Sequence, residues 1–288
     1  MIDPWWLVLG LALPFVLGAC GALAPTRLVG HQLGWVVGLT VAMGVGYVAR
    51  SGWPRMPPNQ AHQWLAVVGL PAIALAAVLA GRMRLQPGMA WVVRAGVAVV
   101  LPPMLLQSYL RYHWSLGEAA AWLAGLSAVG LLGWWATLRS LRSPGVSGGE
   151  ATPAVLGVTA GAAAMVTLLT YSLTQAQWSA TLAAALLGGG LVTLAWRRRA
   201  GLTAAVDVGL PLTLAMVLLG RLYGPGMTNL HAGLLVAGPL LATVAHWPGG
   251  RWLLGMPGWR LALVRVAAAA VAAGLAVVIA AVQWFAAR

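Results

Sequence analysis

The sequence predicts an all-α integral membrane protein: a bundle of about ten transmembrane helices containing a parallel 4+4 internal repeat flanked by one helix at each end. Three observations predict it. Of 288 residues, 61% are hydrophobic and 7% charged, with a mean hydropathy of +0.86, so there is too little polar surface to cover a water-soluble globule. The apolar runs are each about as long as a bilayer core is thick, and amides that cannot bond to lipid must bond within a helix. Motifs of the first half also return in the same order in the second.

The apolar runs are 5–24, 32–48, 63–80, 89–107, 117–138, 153–173, 178–196, 203–220, 229–247 and 261–284. In the first, Leu17-Gly18-Ala19-Cys20 has the look of a lipoprotein cleavage box. A signal of that kind needs a basic start and the chain opens Met-Ile-Asp, so the run is expected to stay as a helix. The second and sixth runs open the two repeats. LGWVVG from Leu33, followed by Met43, matches LGVTAG from Leu156, followed by Met165. The third and seventh match through QAHQW at Gln60–Trp64 and QAQW at Gln175–Trp178, and each ends on arginines, Arg82 and Arg84 or Arg197–Arg199. The fourth and eighth match through Leu101-Pro102 with Arg111-Tyr112, and Leu210-Pro211 with Arg221 and Tyr223. The offset falls from 123 (Leu33 to Leu156) to 110 (Arg111 to Arg221), the drift expected as loops shorten.

The organisation expected is a first helix in 1–26, repeat unit A in 27–140, a cytoplasmic linker at 141–152, repeat unit B in 153–250, and an interfacial segment with the last helix in 251–288. Four passes separate the copies, so equivalent helices run the same way and the axis relating them lies along the membrane normal. The linker alone is rich in Gly, Ser and Pro, which reads as a tether. Gly34/Gly38 and Gly157/Gly161 are small-residue pairs at matched positions, expected to form a seam between units. The last run is alanine-rich from Ala267 to Gly274, a surface for a second copy or for a membrane complex.

The net charge of +13 comes from arginines that punctuate apolar runs, with no lysine; that is cytoplasmic retention of charge, not nucleic-acid binding. With the N-terminus outside, the inner loops carry Arg27, Arg82, Arg84, Arg139, Arg142, Arg197, Arg198, Arg199, Arg251 and Arg260, against Arg50, Arg55, Arg111, Arg221 and Arg288 outside. The expected location is therefore a bacterial inner membrane, multi-pass, with both termini periplasmic. Trp64, Trp114, Trp178 and Trp284 are expected at the outer interface and Trp91, Trp134, Trp135, Trp196 and Trp247 at the inner one.

Of four acidic residues only Asp207 lies well inside an apolar run, where a charge costs about 2.5–3.5 kcal/mol and requires a partner. Arg94, at similar depth in the equivalent helix, is the expected one. The same two helices carry Pro102, Pro103 and Pro211, which free backbone carbonyls and mark the lining of any pathway. Polar residues near the outer surface, His62, Gln107, Arg111, His113 and Glu118 from unit A and Asn229 and His231 from unit B, compose a cationic vestibule for a polar or anionic ligand or for lipid headgroups. No metal motif, nucleotide loop or nucleophile is present, so an enzyme is not the expected class, lipid chemistry through His113 and Glu118 included. The function expected is a transporter or channel for a small polar or anionic solute between the two units. The alternative is a membrane anchor or scaffold subunit, in which His62 and His113 are the pair available to hold a haem. Membrane lipid is the partner common to both.

Overall fold

The computed structural model describes residues 4–24, 31–82, 87–142, 149–197, 201–243, 250, 253 and 255–287, and every regular element among them is helical. We number them α1 (4–23), α2 (His31–Ser51), α3 (61–82), α4 (Pro87–Leu105), α5 (Gln107–Tyr112), α6 (Leu116–Arg142), α7 (Thr152–Leu169), α8 (Leu173–Ala195), α9 (Leu202–Tyr223), α10 (Asn229–Leu241) and α11 (Gly258–Ala286). Among the described residues nine of these are long and apolar enough to cross a bilayer, so the chain is a multi-pass membrane protein. Of the ten expected runs the exception is α10. Its 13 residues rise about 20 Å, short of a hydrocarbon core of about 30 Å.

Successive long helices reverse direction. Segments 59–64, 104–112, 175–178 and 219–223 therefore meet at one end of the bundle, the Tyr223 end. Ser140, Thr152, Ala242 and Arg265 meet at the other, the Ser140 end. Helix α9 is the hub, packed by α2, α3, α4, α6, α7, α8 and α10. From 202 to 220 all its residues but Thr203, Leu214 and Leu218 are buried. Its expected repeat counterpart, α4, lies at the periphery and has an exposed face at Val92, Val99 and Val100.

Small residues let the other helices close in. The run Gly188-Gly189-Gly190 in α8 gives each glycine a different neighbour. A Cβ on Gly188 would overlap the Phe15 carbonyl of α1, one on Gly189 would overlap the Trp35 ring of α2, and one on Gly190 would lie 2.8 Å from the Ala154 nitrogen of α7. Gly34 and Gly38 pack on Gly21 of α1, while Gly157 and Gly161 face Leu187 and Ala183 of α8. The expected seam between units is thus replaced by one contact outside the units and one inside unit B. In α11 the stripe Ala269, Ala272, Ala273, Ala276 and Ala280 is buried, on the side taken by α7 and α10. The face left open carries Leu263, Val271, Leu275, Val278 and Val282 instead.

Proline supplies cross-links in two places. Pro14 has no N–H for the Gly10 carbonyl, which accepts from the Thr181 hydroxyl of α8 at 2.8 Å. Pro102 likewise frees the Ala98 carbonyl, which accepts from Ser127 of α6 at 3.0 Å. A freed carbonyl in an apolar medium needs a donor, and a neighbouring helix provides it.

Two expectations about surfaces are corrected. Trp134 and Trp178 are 2% and 4% exposed, so they belong to the interior and not to interfacial belts; both have found ring or carboxylate partners there. The end of the linker is no tether either, since Gly149–Ala151 forms a buried 3-10 turn leading into α7. Residues 143–148, Arg27, Arg84, Arg198, Arg199, Arg251, Arg288, His246 and Trp247 lie outside the described residues.

Candidate functional site

Two polar features flank α9, on opposite faces. At about 100° per residue, Asp207, Pro211, Leu214, Leu218 and Arg221 share one face, whereas Leu212, Met216, Leu219 and Tyr223 share the other.

On the first face the expected pair forms. Arg94 Nε and Nη2 donate to the two oxygens of Asp207 at 2.8 and 2.9 Å, a bidentate contact of two residues 4% and 5% exposed. The sequence reading missed the third member: Trp134 Nε1 donates to Asp207 Oδ1 at 3.1 Å. A signal for it exists, since Gly130, Gly133, Trp134 and Thr137 recur at helical spacing and mark the inward face of α6. The guanidinium also lies 5.4 Å from the Trp91 ring, a cation–π distance. Because α4 and α6 both bond to α9, the carboxylate joins three helices.

Beyond this triad, towards the Tyr223 end, lies an apolar cleft of about 300 Å³ between α4, α6, α9 and α10. Pro102 and Pro211 line it; Pro103 does not. The two prolines thus face a greasy cleft and not a polar path.

The second face carries the vestibule, a cavity of about 380 Å³ at the Tyr223 end. His62, Gln107 and Arg111 line it as expected, joined by Gln60, Ser108, Gln175, Trp178 and Tyr223. Its wall is braced by Tyr223, whose hydroxyl bonds to Ser108 at 2.8 Å and to the Leu105 carbonyl at 2.9 Å. Tyr109 Oη donates to the Leu222 carbonyl. Its floor is aromatic: His62 lies 4.7 Å from Trp178, which stacks on Tyr47 at 5.5 Å. The buried Trp178 N–H has no hydrogen-bond partner among the described residues. Below the floor is a hollow of about 20 Å³ lined by the same three rings with Met43, Leu212 and Met216.

Four expected vestibule residues are used elsewhere, each by a local hydrogen bond or ring contact. Glu118 accepts from Ser115 N and Oγ, both at 2.9 Å, capping α6. His231 is fully buried and accepts the Thr228 N–H on Nδ1 at 3.1 Å, closing a capping box at the start of α10. Asn229 accepts from Arg221 Nε at 2.5 Å and faces the cleft. His113 ends α5 with its ring 5.1 Å from Tyr109, whereas His62 stacks under the cavity.

A second buried cation was also missed. Arg265, 2% exposed in α11, donates to the Ala242 carbonyl at 3.0 Å, Ser140 at 2.9 Å and Thr152 at 3.1 Å. The buried Glu150 contributes an attractive charge. Four helix ends are tied there. The signal was an arginine inside an apolar run, the criterion that singled out Asp207.

Among the described residues no three His, Cys, Asp or Glu side chains converge as metal ligands. No protein-family model matches the chain, and a search of curated proteins finds no match to it.

Proposed function

We propose that the protein is a bacterial inner-membrane transporter for a small polar or anionic solute, built from two tandem parallel four-helix units and ten passes. Both termini and the vestibule then face the periplasm, as the arginine asymmetry requires. One observation carries this reading: the vestibule is lined from both halves of the chain, Gln60, His62, Gln107 and Arg111 on one side and Gln175, Trp178 and Tyr223 on the other, and among the described residues Arg111 is the one formally charged member of its wall. A cavity of about 380 Å³ lies in the range of small-ligand sites, about 300–1,000 Å³.

A solute held there rests on the His62–Trp178 floor, with the unpartnered indole N–H buried behind it. Displacing that floor joins the vestibule to the hollow at Met216 and Leu212. The Arg94–Asp207–Trp134 triad sits across α9 from this route and acts as the clamp between units, not as the gate.

The test is uptake of inorganic phosphate and a panel of mono- and dicarboxylates into proteoliposomes. Arg111→Gln removes a charged hydrogen-bond donor, worth about 1.5–3 kcal/mol, so uptake falls by about tenfold or more. Arg139→Gln, at the opposite end, leaves it unchanged. Folded protein that moves none of these probes would favour the anchor or scaffold reading.

A further inference from the structure

We propose that the apolar cleft is a lipid site: it holds one acyl chain of an anionic phospholipid from the surrounding bilayer, with the headgroup at Arg221. This stands apart from the solute reading and needs only that the chain spans a membrane. The cleft of about 300 Å³ is walled by α4, α6, α9 and α10, and its lining is apolar nearly throughout. An apolar hollow offers water no hydrogen bonds, so it stays dry and takes hydrocarbon.

The cleft opens sideways. Trp122 and Val129 of α6 and Gly233 of α10 line it and are themselves exposed, so its mouth lies between α6 and α10. In a bilayer that mouth faces acyl chains. Its depth is also fixed. The inner end stops at Trp134, held by its bond to Asp207, and Arg221 stands at the other end, two residues before α9 terminates.

Charge selects the headgroup. Arg221 donates to the neutral Asn229 side chain at 2.5 Å and, among the described residues, pairs with no carboxylate. A cation at the end of a membrane helix above an apolar slot matches a phosphodiester above its chain. Space remains at Gly233, an exposed lining residue where an added Cβ meets nothing within 4 Å, so a side chain is admitted there at the mouth of the slot.

Native mass spectrometry of the detergent-purified protein, titrated with phosphatidylglycerol or phosphatidylcholine of matched chains, tests this. The wild type should retain one phosphatidylglycerol in preference to phosphatidylcholine. Arg221→Gln should weaken phosphatidylglycerol binding by about fivefold and abolish the preference. Gly233→Phe should remove the retained lipid of either kind while keeping the thermal midpoint, with Ala232→Phe filling the same slot from the adjacent position. Retention unchanged in both filling variants, or a wild type that binds the two lipids equally, overturns the proposal.

Discussion

Asp207 shows how one buried charge organises its surroundings. Its two oxygens take three donors, two from Arg94 and one from Trp134, which offsets the loss of water that burial imposes. Removing one partner leaves the other charge uncompensated, at a cost of about 3–5 kcal/mol, while replacing both with apolar residues is close to neutral. Arg94→Leu and Asp207→Leu should therefore each lower the thermal midpoint in detergent, and the double variant should recover most of the loss. Additive losses would contradict the clamp. The same cycle separates clamp from gate, because the recovered double variant should still take up solute. The pair was legible in the sequence because the one acid well inside an apolar run needs a cation, and Arg94 stands at similar depth in the helix matched to its own. Trp134 was less so, since a tryptophan near a helix end also fits an interfacial role, and only the direction of its indole separates Trp134 from its exposed neighbour Trp135.

Helix-scale contacts were legible as small-residue patterns but not as partners. Gly34/Gly38 and Gly157/Gly161 have the same spacing, yet the first pair meets α1 and the second meets α8, and within the second pair the geometry differs again. A Cβ on Gly161 makes an ordinary 3.7 Å contact with Ala183, whereas one on Gly18 or Gly188 overlaps a backbone carbonyl of the facing helix. Spacing identifies a face that permits approach; which helix approaches depends on long-range packing that no local pattern encodes. The consequence is a sorted mutational response. Gly18→Ala and Gly188→Ala should each lower the thermal midpoint, because α1 and α8 must separate to admit a methyl. Gly161→Ala should leave it unchanged or raise it, since alanine is the better helix former by about 0.5–1 kcal/mol. A uniform response across the three would mean that the α1–α8 contact is looser than the backbone positions require. The vestibule divides in the same way. His62, Gln107 and Arg111 were found by their position at helix ends, while Glu118 and His231 sit at helix ends for another reason, capping, and side-chain type alone does not distinguish the two uses.

For the whole molecule, alternating helix direction carries the strongest constraint. α1 runs parallel to α8, with Gly10 beside Thr181 and Gly18 beside Ala185. α11 runs antiparallel to α10, with Arg265 beside Ala242 and Ala269 beside Gly238. Residues 4 and 286 therefore lie at the same end as Tyr223 and the vestibule. On the proposed ten-pass reading α10 supplies the remaining crossing, although its 13 residues are too short to cross alone. Its capped start at Thr228 and its arrival at Ala242 beside Arg265 place its ends towards opposite ends of the bundle. A short pass is tolerated where neighbouring helices cover it, and α7 and α11 both pack on α10. The proposed sidedness rests on charge: among the described residues Arg139 and Arg197 lie at the Ser140 end, which the proposed orientation places in the cytoplasm. Reporter fusions after Arg55, Arg142 and Arg288 test parity and sidedness together. Alkaline phosphatase should be active after Arg55 and Arg288 and silent after Arg142, and a cytoplasmic fluorescent reporter should give the converse. Reversal at all three sites would invert the membrane orientation and move the vestibule to the cytoplasm while leaving the bundle intact. Reversal at Arg288 alone would mean that α10 does not complete a crossing, and the tenth pass would be withdrawn.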